Sequence, residues 1–256
     1  MKKILYIFSC LFFYLTSSAQ FQGVLVTYKE VFDTDRPIQR LAYLYSTPNF
    51  SVFEEDFNTT KKIHKEKELI EVREIIVYEP SNQENLFVIS YLDDSKTESF
   101  DYLVAEKKSK ILDKVKLNWK LIDEKQFIDK MECYKAIVDF RGRKWIAWYA
   151  PTIPFSSGPY KFHGLPGLII KLNDDTNEFN YVVEKIEFLD EGVYDKKMAE
   201  VKSIPFNQQH TLQEFTLQRE QILENGFNSV NKERGFDLVR NKMPRNGIEL
   251  KYEWEE

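Results

Sequence analysis

Between Gly158 and Ile170 the chain reads G-P-Y-K-F-H-G-L-P-G-L-I-I, three glycines and two prolines in a stretch with one formal charge. The irregularity begins earlier, because Pro151, Pro154, Pro159 and Pro166 each fix φ near about −65° and remove a backbone donor. Neither a helix nor a central strand runs through such a span. Gly158, Gly164 and Gly167 tolerate positive φ or a close backbone approach, and the last two bracket Pro166 in a turn-like G-L-P-G. Ile153, Phe155, Tyr160, Phe162 and Leu165 are too large and apolar for a disordered segment. The sequence therefore predicts an ordered, stiff loop from Pro151 to Gly167, folded onto the body of the protein.

Strand patterns flank this loop on both sides. Met131 to Phe140 and Trp145 to Ala150 alternate across an Arg141-Gly142-Arg143-Lys144 turn, which reads as a hairpin. In the second strand Trp145, Ala147 and Tyr149 share one face and Ile146 and Trp148 the other, so one face suits a core and the other a cover by the Pro-rich loop. After the loop, Leu168 to Leu172 and Phe179 to Phe188 pair across Asn173-Asp174-Asp175.

Further out, period-two alternation marks Gly23 to Phe32 (Val24, Val26, Tyr28, Phe32), Gln39 to Ser46 (Leu41, Tyr43, Tyr45) and Phe50 to Glu54. It resumes at Ile75 to Tyr78, Leu86 to Leu92, Glu98 to Ala105 and Ile111 to Ile122. Asp56 to Glu71 is mostly polar and reads as a solvated connection or short helix. One helix is convincing, Leu212 to Asn225: Thr211 and Glu214 form a capping box, Leu212, Phe215 and Ile222 share a face, and Gly226 can end it. Ile248, Leu250, Tyr252 and Trp254 alternate as a last edge strand. The expected fold is mainly β, a curved antiparallel sheet or open barrel with one C-terminal helix packed on it.

Lys2 and Lys3, the apolar run Ile4 to Leu15 and the small residues Ser17-Ser18-Ala19 have the grammar of a secretory signal peptide cut after Ala19. Residues 20–256 then form a single domain. Losing Lys2 and Lys3 leaves 34 basic residues against 41 acidic ones, a net charge of −7 that argues against nucleic-acid binding. No later segment approaches the ~20 apolar residues of a membrane span. Exported, the chain is periplasmic or extracellular, with Cys133 its one cysteine and no internal disulfide.

The stretch G-P-Y-K-F-x-G-L-P-G-L-I resembles the naming motif of the GLPGLI family, exported proteins found mainly in Bacteroidetes. C-Y-K-A at Cys133 to Ala136 and A-W-Y-A-P-x-I-P at Ala147 to Pro154 resemble its supporting features. The resemblance implies a β-rich envelope protein, often encoded near outer-membrane transport components, without an established activity. Its motif leaves the position of His163 open.

No G-x-S-x-G, G-x-G-x-x-G, Walker, EF-hand, C-x-x-C or H-E-x-x-H pattern occurs. Three histidines and one mature cysteine are too few for a common structural zinc site, and no cofactor is expected. Two readings stand. In the first the protein is an envelope binding or accessory protein, associated with outer-membrane transport. Trp145, Trp148, Tyr149, Tyr160, Lys161 and Phe162 then meet a partner protein or an apolar small molecule or peptide, and Gly158, Pro159, Gly164, Pro166 and Gly167 shape the loop. In the second it is a cysteine-dependent hydrolase with Cys133 as nucleophile and His163 as base.

Overall fold

The computed structural model describes residues 22–67, 72–78, 84–104, 107–189, 192–233, 245 and 247–255. The expected leader, residues 1–19, lies outside them. In chain order the elements are β1 (Val24–Phe32), β2 (Ile38–Ser46), β3 (Phe50–Lys67), β4 (Val72–Tyr78), β5 (Leu86–Tyr91), β6 (Lys96–Val104) and β7 (Lys107–Lys114). There follow β8 (Lys120–Ile128), β9 (Met131–Phe140), β10 (Arg143–Ala150), β11 (Leu168–Asp174), β12 (Phe179–Phe188), α1 (Val193–Lys202), β13 (Gln208–Thr211) and α2 (Leu212–Glu233).

All the strands join one open sheet, ordered β13-β7-β6-β5-β3-β2-β1-β12-β11-β10-β9-β8, with β4 on the far half of β3. Its two ends do not meet, so the curved sheet is not a closed barrel. Pairings are antiparallel except β13 with β7. The Arg141-Gly142 turn has both residues at positive φ, 47° and 86°, which matches the twist of the β9–β10 hairpin.

Alternation divides the sheet into two covered faces. Val26, Leu44, Phe53 and Val88 join Trp145, Ala147, Leu172 and Tyr181 in the main, inner-face core. Their neighbours of opposite parity, Val52 and Ile89, join Phe100 beneath Met198 and Val201 of α1. α2 covers the inner face near β6 and β7, where Leu212 and Phe215 meet Leu103 and Ile111. Its capping box forms as the sequence predicts: Thr211 N donates to Glu214 Oε2 at 2.8 Å and Glu214 N to Thr211 Oγ1 at 3.2 Å. The mainly β fold with a C-terminal helix on the sheet is therefore the observed one.

Several boundaries differ from expectation. Asp56 onward is not a solvated connection, because β3 continues to Lys67 and pairs Lys61–Lys67 with β4. α1 is an additional helix that starts from Gly192 without a side-chain cap and so carries no N-terminal signal. α2 runs through Gly226 to Glu233; an interior glycine costs a helix only about 1 kcal/mol, and nothing crowds this one. Ile222 is exposed rather than part of the packing stripe. The Ile111 to Ile122 stretch splits, β7 ending at Lys114 and β8 starting at Lys120. On β2 the buried parity is Arg40, Ala42, Leu44 and Ser46, while Leu41, Tyr43 and Tyr45 are half-buried on the α1 side. The tail is not a strand. Leu250 N donates to the Arg141 carbonyl at 2.8 Å, and Tyr252 stacks on Trp254 at 4.6 Å.

Candidate functional site

β10 and β11 are direct neighbours, with Ala150 opposite Leu168, so the loop from Pro151 to Gly167 is an excursion between two paired strands. It folds over the inner face rather than the opposite one. Phe162 is buried there, 4.6 Å from Trp145 and 5.4 Å from Phe140 between ring centroids. Burying such a ring contributes about 1.5–3 kcal/mol. The loop backbone is tied down by Ile169 N to the Ser157 carbonyl (3.0 Å), Leu168 N to that of Ile153 (3.0 Å) and Gly164 N to that of Ser156 (2.8 Å). Two glycines allow the approach: a Cβ on Gly158 would stand 2.6 Å from Ile169 Cδ1, and one on Gly167 would overlap the Ala150 carbonyl. Pro159 opens a turn in which Phe162 N donates to its carbonyl at 3.1 Å, and Pro166 lies within the Leu165–Gly167 bend.

The loop carries Lys161 into a buried ion cluster. Lys161 Nζ donates to Asp113 Oδ2 (2.9 Å) and Glu249 Oε1 (2.8 Å). Arg141, from the hairpin turn, holds Asp113 with two nitrogens at 2.8 and 2.7 Å and reaches Glu249 at 2.9 Å. Tyr160 OH donates to Glu249 at 3.1 Å. The cluster thus locks β7, the β9–β10 turn, the loop and the tail together. Burial alone would raise the Asp113 carboxyl; the Arg141 hydrogen bonds and the Lys161 charge overcome it and hold the group down at about 2. Burial likewise penalises the Lys161 ammonium, yet Glu249 and Asp113 keep its pKa above the ordinary value.

Beside the cluster a cleft of about 990 Å³ opens between the inner face, the loop, α2 and the tail. That is the upper end of the range typical of ligand sites, about 300–1,000 Å³. Aromatic rings line it: Phe53, Phe57 and Phe179 from strands or strand extensions, Tyr160 from the loop, Phe215 from α2 and Tyr252 from the tail. Arg40 and Glu55 also line it. The Arg40 guanidinium donates to Glu30 through Nε and to Glu55 Oε2 at 2.7 Å, and lies over the Phe57 ring at 4.7 Å. One cation therefore serves two buried carboxylates. Burial, joined by the negative Glu55, outweighs Arg40 and pushes the Glu30 carboxyl up to about 8; burial also raises Glu55.

Of the residues singled out from sequence, Tyr160 and Lys161 line the cleft. Trp145 and Phe162 lie in the core beneath it, and Tyr149 is buried near Tyr134, at 6.1 Å. Trp148 is half-buried, with Lys135 Nζ 5.8 Å from its ring. The sequence patterns do not mark Glu30, Arg40, Glu55, Asp113, Arg141 or Glu249 as site residues. For Glu30 a signal existed, since it occupies the gap in the inward series Val24, Val26, Tyr28, Phe32.

Cys133 is buried, and burial pushes its thiol up to about 11, opposite to what a nucleophile needs. Its Sγ donates weakly to the Met131 carbonyl at 3.5 Å. His163 is also buried, its Nε2 has no hydrogen-bond partner, and burial lowers its pKa. No hydrogen bond joins the two among the described residues. Alkylation of the native protein at pH 7 is therefore expected to proceed only with unfolding. Rapid modification that slows in His163→Ala would contradict this.

Residues 141–171, from the hairpin turn through the loop into β11, match a family described as a protein of unknown function (Porph_ging). No curated protein matches the chain in sequence. Among solved structures, PNGF-II aligns at 12% identity with a TM-score of 0.50, over 77% of this chain and 32% of PNGF-II. The chain thus spans about a third of that protein, and the likeness is one of fold. An uncharacterised conserved protein from Thermus thermophilus aligns at 10% identity and TM-score 0.40, over 75% of this chain and 90% of that one. A domain described as a putative outer membrane lipoprotein-sorting protein from Vibrio parahaemolyticus aligns at 9% and 0.33, over 70% and 91%. Both superpose too loosely to bear on function.

Proposed function

We propose that the protein is an exported binding or accessory protein of the cell envelope that takes an apolar molecule into the cleft beneath α2, without chemistry of its own. The observation that carries this reading is the cleft itself: about 990 Å³ with an aromatic lining, its walls braced by buried ion pairs. Bracing matters because an apolar cavity of this size without rigid walls would gain by collapsing. The export signal read at residues 1–19 supplies the compartment. Among the described residues no helix is long and apolar enough to cross a membrane.

The test is titration of the purified mature chain with the neutral dye N-phenyl-1-naphthylamine, competed by decanol. Saturable fluorescence at one site is expected, abolished by Ser99→Trp, which places an indole at the cleft wall. A signal that never saturates, or that Ser99→Trp leaves intact while circular dichroism shows native fold, would sink the reading.

A further inference from the structure

The charges on the cleft wall are mostly matched. Arg219 pairs with Asp101 at 2.9 Å, Arg245 with Glu220 and Lys161 with Glu249. The exception is the inner-face group, in which Arg40 answers both Glu30 and Glu55. Glu30 Oε1 is buried without a hydrogen-bond partner, as is the hydroxyl of Tyr181, which stands opposite Glu30 on β12. Glu55 gives one oxygen to Arg40 and itself faces the cleft. Two carboxylates against one guanidinium leave one negative valence open, inside a lining of rings whose faces favour cations. Glu224, on the α2 side, adds a further exposed carboxylate. No unmatched cation lines the cleft among the described residues.

Resting on the binding reading above, we infer that the cleft selects an apolar molecule bearing a protonated amine, whose N–H groups meet Glu55 at the cleft wall and offset the negative valence that Glu55 and Glu30 leave open around Arg40. In the empty site a proton fills that place. Binding then exchanges one cation for another: the ammonium enters, a carboxyl proton leaves to solvent, and the buried charge stays balanced. Affinity for an amine should therefore rise with pH while affinity for an uncharged analogue stays level.

The experiment compares decylammonium, decanol and decanoate by calorimetry at pH 6, 7 and 8, in buffers of different ionisation enthalpy. Decylammonium, charged up to about pH 10, is expected to bind at least about tenfold tighter than decanoate and to release close to one proton at pH 7. Glu55→Gln should erase that preference, so that decylammonium binds no tighter than decanoate and releases no proton. Decanoate binding as tightly as decylammonium, or amine binding without proton release, overturns the inference; these readouts on the unmodified protein stand even if the variant misfolds. Failure of all three ligands overturns the binding reading and this one with it. Equal binding of all three overturns only the charge preference.

Discussion

Gly167→Val is expected to cost about 3 kcal/mol or more and to lower the melting temperature by about 10 °C in a domain of this size. Two causes add. Gly167 has φ of 150°, and its missing Cβ would lie 2.7 Å from the Ala150 carbonyl carbon and 2.8 Å from Pro151 Cα. These are backbone atoms at the junction of β10 and the loop, so no rotamer change relieves the overlap. Moving them would break the Ala150–Leu168 pairing that closes the excursion. Gly164→Ala is the control: its φ is 90°, yet nothing lies within 4 Å, so only the left-handed penalty of about 1–2 kcal/mol applies. Thermal melts followed by circular dichroism separate the two. Equal losses in both variants would show that backbone conformation, not the close approach, is what Gly167 supplies.

Lys161→Met should be comparably severe. A ligand-binding role alone would leave the fold near normal on losing this ammonium, but Lys161 is 3% exposed and neutralises two buried carboxylates. Removing it leaves Asp113 and Glu249 facing Arg141 alone, and breaking a buried pair in this way costs about 3–5 kcal/mol. The charge argument has a sharper form: Lys161→Met with Glu249→Gln restores the balance and should be more stable than Lys161→Met by itself. Additive losses in urea unfolding would refute it. The same cluster sets an acid limit. The Asp113 pKa lies below its unfolded value, so its contribution, about 2 kcal/mol, is complete above about pH 4 and disappears as pH falls towards 2. Glu30 acts in the opposite sense. Its raised pKa makes its contribution complete below about pH 4.5, and ionisation removes it as pH rises through about 8.

Sequence patterns carried the fold wherever one face of a strand meets a core. Val24 to Phe32 alternates because its inward side chains join the main cluster, and the Arg141-Gly142 turn announces its hairpin. Alternation misled at β2, where α1 covers the other face and makes both parities partly apolar. It failed in β3 beyond Phe57, where polar residues dominate both sides. It also invented a strand in the tail, whose spaced apolar residues are half-buried against neighbours without sheet pairing. The loop was legible because prolines and glycines act locally. The ion cluster was not, since Asp113, Arg141, Lys161 and Glu249 come together only through the sheet order and the return of the tail.

The position of β1 governs how the molecule can be assembled. Among the described residues it is the first strand, and it sits in the middle of the sheet, between β2 and β12, with Val24 opposite Phe188. The strands from β7 to β2 can zip up through local antiparallel connections, and so can those from β8 to β12, while β13 reaches β7 only later and in parallel. The two halves can join only once β12 has been delivered. Until then β1 presents an unpaired backbone edge, and closing so long a chain segment is a slow step. A chain folding from its N-terminus therefore passes through a half-sheet with two open rims, β1 waiting for β12 and β7 for β13. During that interval, rather than in the finished protein, a holding chaperone has the most to protect.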